Sequence, residues 1–116
     1  MSDMIVVYIA CNRLEEARKI GKHLMRLRVC PCYNIIPQMQ SAAFWPPGSG
    51  KIEEVDGAIL LVKTLTKKFP AIEKEVLKMH SDKTPCIYSM PVLNVYGKYY
   101  RWLKSEIKKP QHPHNL

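Results

Sequence analysis

The sequence predicts an α+β domain: a ferredoxin-like βαββαβ sandwich followed by one further helix. Three observations carry that expectation. Strand-like and helix-like hydrophobic patterns follow one another in the order β-α-β-β-α-β-α. Pro46-Pro47-Gly48-Ser49-Gly50 is a strong turn signal set between two long strand-like runs, which therefore pair as a hairpin. The first six elements give the split β-α-β order, in which an antiparallel sheet carries two helices on one face.

Each element has its own local reason. Residues 4–11 are apolar and rich in β-branched side chains, as a central strand requires. Asn12 is a good helix N-cap, and beyond it Leu14, Ala17, Ile20, Leu24 and Leu27 recur at helical spacing. Pro31 and Pro37 bracket the start of a second strand, residues 32–45, and put it at a sheet edge or at a bulge, because proline cannot donate to the ladder. After the turn, residues 52–66 form a third strand whose centre, Ala58 to Val62, is apolar enough to be buried on both faces. Pro70 suits the first turn of a second helix, which carries Ile72, Val76 and Leu77 inward and runs on to His80. Pro85 opens a fourth strand, residues 86–92. A last helix, about residues 96–108, packs through Tyr99, Leu103 and Ile107. One domain spans residues 1–109, and residues 110–116 are expected to be a disordered tail. One terminal helix cannot cover the open sheet face, so the fold itself predicts oligomerisation.

Composition narrows the function. The chain of 116 residues, 47% hydrophobic and 24% charged, is large enough for a single core. No run approaches the ~20 apolar residues of a membrane span. Residues 5–10 are too short, and lack the basic leader, to be a signal peptide. A cytoplasmic protein is expected. Its four cysteines, Cys11, Cys30, Cys32 and Cys86, are then reduced thiols or metal ligands rather than disulfides. The net charge is +8, and Arg18, Lys22 and Arg26 form a basic stripe along the first helix. The remaining cations are scattered, and no zinc-finger, RNP or helix-turn-helix pattern accompanies them. Solvated helix faces are the preferred reading over a nucleic-acid surface.

The chemistry-bearing residues are few. His80, Asp82 and Cys86 fall on the crossing from the second helix to the fourth strand. Imidazole, carboxylate and thiolate together suit Cu(II) or Zn(II). Cys30 and Cys32, one residue apart on an extended chain, would face the same way and could share Cu(I). Trp45, Glu53 and Glu54 gather near the hairpin tip, either lining a ligand cleft or, preferably, making contacts between subunits. His112 and His114 in the tail are weak metal captors at best. No nucleophile-base pair, glycine-rich phosphate loop or paired-carboxylate motif is legible, so a binding protein is expected rather than an enzyme.

An ordered set of residues resembles the CutA family of divalent-cation tolerance proteins over residues 4–107. The set runs Ile5-Val6-Val7-Tyr8-Ile9, Cys32-Tyr33-Asn34-Ile35-Ile36-Pro37, Ser41, Phe44-Trp45 and Lys51-Ile52-Glu53-Glu54. It continues with Lys63-Thr64, Phe69-Pro70-Ala71, His80, Pro85, Pro91-Val92 and Trp102-Leu103. The resemblance implies a homotrimer of ferredoxin-like subunits with PII-like architecture, sheets meeting edge to edge around a threefold axis. It extends the hairpin's interface or cleft set to Lys51 and Lys63. It also implies a link to copper or another divalent cation, without a settled catalytic activity. Two departures stand out: the hairpin turn is three residues longer than the family's, and His80-Ser81-Asp82-Lys83-Thr84-Pro85 keeps the family's histidine and proline but loses its tyrosine and both glutamates. The rival reading is a PII-like sensor binding a nucleotide or other small ligand between subunits.

Overall fold

A computed structural model describes residues 2–108. Strand β1 (Met4–Cys11) leads into helix α1 (Leu14–Arg26), followed by the long strands β2 (Cys32–Phe44) and β3 (Ile52–Leu65). Helix α2 (Phe69–Met79), strand β4 (Ile87–Pro91) and helix α3 (Gly97–Lys108) complete the order. The four strands form one antiparallel sheet in the order β2-β3-β1-β4. The expected architecture is therefore present, with element ends moved by one or two residues.

Period-two alternation decides which side chains go inward. Val7 and Ile9 of β1, with Leu60 and Val62 of β3, face the helices. They pack there on Ala17, Ile20 and Leu24 of α1 and Ile72 and Val76 of α2. Each such aliphatic side chain stabilises the fold by about 1.5–3 kcal/mol through burial. On the other face, α3 covers one end of the sheet, where Leu103 and Ile107 meet Met4 and Leu65. The rest of that face stays open, with Ile36, Tyr88 and Met90 exposed.

Prolines and helix ends behave as their chemistry dictates. β2 is an edge strand, and its register with β3 slips between Ile36 and Met39, at Pro37 and Gln38. Gln38 takes φ 59° to make the bulge. α1 ends in a Schellman motif: Val29 N–H donates to Leu24 O and Arg28 N–H to Met25 O. The left-handed position goes to Arg28 rather than glycine. Its guanidinium reaches Glu106 Oε1 at 3.1 Å and so ties α1 to α3. Thr64, fully buried, donates its hydroxyl to Val29 O at 2.6 Å and closes the connection after α1.

The hairpin is longer than the body of the sheet. β1 pairs with β3 only from Ala58 to Leu65, so residues 38–56 project as a two-stranded arm. Phe44 and Ile52 face each other across the arm at 73% and 62% exposure. The turn closes through Ser49, whose N–H and hydroxyl both donate to Pro46 O. Gly48 and Gly50 supply the positive φ angles that the turn requires.

Candidate functional site

Three element ends meet at one corner of the sheet: the end of β1, the start of α1 and the end of α2. Glu16 lies four residues before Ile20 on α1, on the stripe that points inward, and is only 6% exposed. Its Oε1 accepts from Asn12 N–H at 2.9 Å and its Oε2 from Ser81 N–H at 2.7 Å. Burial alone would push this carboxyl up. The hydrogen bonds from Ser81 and Asn12 outweigh it and hold the pKa below the usual carboxylate value. Asn12 is not the N-cap; Arg13 takes that position, without a side-chain bond. The Asn12 amide instead donates to Ser81 Oγ at 2.8 Å and Asp82 Oδ1 at 2.9 Å.

His80 caps the end of α2 and is 9% exposed. Asp82 N–H donates to its Nδ1 at 3.0 Å, so the ring proton resides on Nε2 and is given to Ala10 O at 2.7 Å. Cys11 Sγ, a Glu16 oxygen and a His80 nitrogen lie within 4.8 Å of one another. Sulfur, oxygen and nitrogen donors so grouped suit a borderline ion. In this arrangement each is committed elsewhere. The Cys11 thiol is pushed up to about 12, chiefly by burial and then by Glu16 and Asp82, and stays protonated. For Nε2 to bind a metal, its proton would have to move to Nδ1, against the Asp82 N–H. Glu16 and His80, bonded to Asn12, Ser81 and Ala10, act as a polar lock between β1, α1 and the end of α2.

Beside the lock, under the hairpin arm, lies a cleft of about 730 Å³. Asp82, Lys83 and Cys86 line one wall, Tyr8 and Ala10 the floor, and Met39, Trp45 and Glu53 the arm side. Asp82 is aimed by Asn12. Cys86 is exposed, and its carbonyl accepts from Ala10 N–H at 3.2 Å, continuing the β1–β4 pairing. Tyr8 stacks on Tyr88 with ring centroids 4.8 Å apart, and its hydroxyl donates to Met39 Sδ at 3.7 Å. Burial, then Tyr88 and Cys86, raise the Tyr8 pKa.

The residues singled out in the sequence separate into three places. Asp82, Cys86, Trp45 and Glu53 do line one cleft, with His80 behind it in the lock. Glu54, next along β3 from Glu53, faces the other side of the arm, and Lys51 sits at the turn. Lys63 is at the far end of the sheet, its Nζ 5.8 Å from the Tyr99 ring centroid. Cys30 and Cys32 do not share an extended strand, because β2 begins only at Cys32. Cys30 is sealed in the core, its thiol pushed up to about 12 mainly by burial. Cys32 is half-buried opposite Lys63. His112 and His114, and the tail as a whole, lie outside the described residues.

Sequence reasoning missed Tyr8, Asn12, Glu16 and Met39. Glu16 carried a usable signal: a carboxylate four residues before Ile20 falls on the buried stripe, where an unpaired charge is not tolerated. Met39 carried none, since the bulge shifts the alternation that would have placed it.

The family model described as CutA1 divalent ion tolerance protein matches residues 5–106. The divalent-cation tolerance protein CutA of Archaeoglobus fulgidus is 34% identical over 102 residues, covering 88% of this chain and 96% of that protein. The Thermotoga maritima protein of the same name is 30% identical over 104 residues, 90% of this chain and 99% of its own. The solved structure from Archaeoglobus fulgidus, called a periplasmic divalent cation tolerance protein, superposes with a TM-score of 0.85 at 33% identity. It covers 90% of this chain and 99% of its own. The Thermus thermophilus structure gives 0.83 at 33% identity, over 89% and 97%. Among the described residues, no helix is long and apolar enough to cross a membrane.

Proposed function

The chain belongs to the CutA1 divalent ion tolerance family, and on that premise we propose that it is a cytoplasmic homotrimer that binds a divalent metal ion, copper among them, in the cleft under the hairpin arm. Its role is binding or regulatory rather than catalytic. The observation that carries this reading is the donor set of the cleft. Asp82, held in place by Asn12, and the exposed Cys86 thiol share one wall, and Glu53 faces them from the arm. The cleft thus carries the carboxylates of Asp82 and Glu53 against the single ammonium of Lys83. A cleft whose carboxylates outnumber its cations, on a protein of net charge +8, favours a cation. His80 anchors the segment that presents Asp82 and Cys86.

The trimer is supported by what the single chain leaves bare. Ile36, Phe44, Ile52, Tyr88 and Met90 are exposed on the open face and the arm, and β2 and β4 are edge strands. Exposed apolar surface beside open strand edges favours association. The volume of the cleft favours a second reading. About 730 Å³ exceeds what a bare ion needs and lies in the range of small-molecule sites. On that reading the protein is a PII-like sensor of a nucleotide or metabolite held between subunits.

Measuring the mass in solution, together with thermal shifts against Cu(II), Zn(II) and a set of nucleotides, separates the two. The metal reading expects a trimeric mass and stabilisation by a divalent ion. Stabilisation by nucleotides alone would replace it with the sensor reading, and a monomer at micromolar concentration would remove the trimer.

A further inference from the structure

We propose that the cleft takes an organic dication, a linear diamine or polyamine, with one ammonium on Asp82 and another on Glu53. The inference rests on the sensor reading above, in which the cleft holds a small ligand, and names the chemical class of that ligand.

Alternation along the hairpin builds the arm wall. Glu53 lies opposite Ala43 in the β2–β3 register, and Val55 lies opposite Ser41. These four, with Trp45 two residues beyond Ala43, therefore present one face of the arm, and all five line the cleft. Trp45 is thus the diagonal neighbour of Glu53 across the two strands. Among the described residues the Glu53 carboxylate takes no hydrogen bond and no ion pair. A free carboxylate beside an indole receives an ammonium group by charge and by cation–π attraction together.

The opposite wall offers the second carboxylate. Asp82 Oδ1 accepts from the Asn12 amide at 2.9 Å, which fixes the side chain, and Oδ2 has no partner among the described residues. Between the two walls the floor, Tyr8 and Ala10, is uncharged. Two acidic ends separated by apolar and aromatic surface match a methylene chain with an ammonium at each end. Its methylenes gain from every part of that surface they cover. The volume of about 730 Å³ has room for a ligand of this length. Lys83, the one cation of the lining, is exposed, and its long stem can carry the ammonium out to water. The same balance of charge repels a polyphosphate, which sets an amine ahead of a nucleotide.

The test is calorimetric titration of the full-length protein, in metal-stripped buffer of low salt, with putrescine, spermidine, butylamine and ATP. The expected result is one putrescine or spermidine per chain, with affinity that falls as salt rises. Butylamine gives up one hydrogen bond between charged groups and should bind about tenfold or more weakly than putrescine. Asp82→Asn and Glu53→Gln should each weaken putrescine by a similar factor and erase its advantage over butylamine, which a merely structural defect would not do. Glu54→Gln, on the other side of the arm, should bind as the parent does. Thermal melts of the free variants verify folding. Putrescine binding no tighter than butylamine overturns the inference, and so does undiminished affinity in both cleft variants. Binding of ATP in place of the amines overturns it and leaves the sensor reading standing. If no organic probe binds while a divalent ion does, the inference and the sensor reading fall together.

Discussion

His80 gives its Nε2 proton to the Ala10 carbonyl oxygen at 2.7 Å, joining the end of α2 to the end of β1. The same ring accepts from Asp82 N–H on its other nitrogen. A histidine that satisfies two backbone groups at once is a structural keystone, and its position fixes where the next six residues run toward β4.

Replacing His80 by alanine should therefore destabilise the protein. It strands the part-buried Ala10 carbonyl, at about 1–3 kcal/mol for a buried group left unsatisfied, while the N–H of the exposed Asp82 turns to water. Chemical denaturation of His80→Ala measures the loss. A difference below about 1 kcal/mol would mean that water replaces the imidazole without penalty.

Acid should weaken the fold through Glu16. Burial opposes its ionisation, but the hydrogen bonds from Ser81 and Asn12 prevail, so its folded pKa lies below its unfolded one. A depressed carboxyl contributes stability above the unfolded pKa, near 4.3 for glutamate. That contribution is lost as pH falls through the folded value. Stability measured from pH 7 downward should hold until about pH 4–5 and then decline. Glu16→Gln should start lower at pH 7 and show a flatter acid limb. An acid limb that is equally steep in Glu16→Gln would assign the effect to other carboxylates.

Two glycines should differ sharply. A Cβ on Gly57 would sit 2.1 Å from the Cys11 carbonyl oxygen, where backbone meets backbone at the root of the arm. Gly57→Ala should cost about 3 kcal/mol or more. A Cβ on Gly21 meets the Tyr33 ring at 2.9 Å, and that ring is a side chain that can shift. The gain of about 1 kcal/mol from replacing glycine inside a helix offsets the crowding. Gly21→Ala should thus fall within about 1 kcal/mol of the parent, and comparing the two melting curves checks the contrast.

Tyr99 offers the opposite sign. Its hydroxyl is buried without a hydrogen-bond partner of normal geometry, beside the weakly bonding Cys32 thiol. Removing an unsatisfied buried hydroxyl relieves a desolvation penalty. Tyr99→Phe should melt at or above the parent temperature, and a clear drop would mean that the Cys32 contact is a true hydrogen bond.

The scaffold was legible in the sequence because its punctuation is chemical. Pro37 could not sit in a central ladder, and β2 is an edge strand with a bulge there. Pro70 stands in the first turn of α2, and the Pro-Gly-rich turn closes the long hairpin. The site was legible only in part. Asp82 and Cys86 are close in sequence and remain close in space. Glu16, Asn12 and Tyr8 join them from far earlier in the chain, through the packing of β1 and α1 that no local pattern announces. Cys30 and Cys32 misled for the complementary reason. Their spacing promised a shared face, but the strand that would have aligned them starts one residue after Pro31.

Equilibrium dialysis of the purified chain against Cu(II), with the bound metal counted per chain, tests the central claim most directly. The cleft predicts one ion retained per chain by the parent and none above background by the Asp82→Asn, Cys86→Ser double variant of unchanged mass in solution. Full retention by that double variant, or no retention by the parent, would contradict it.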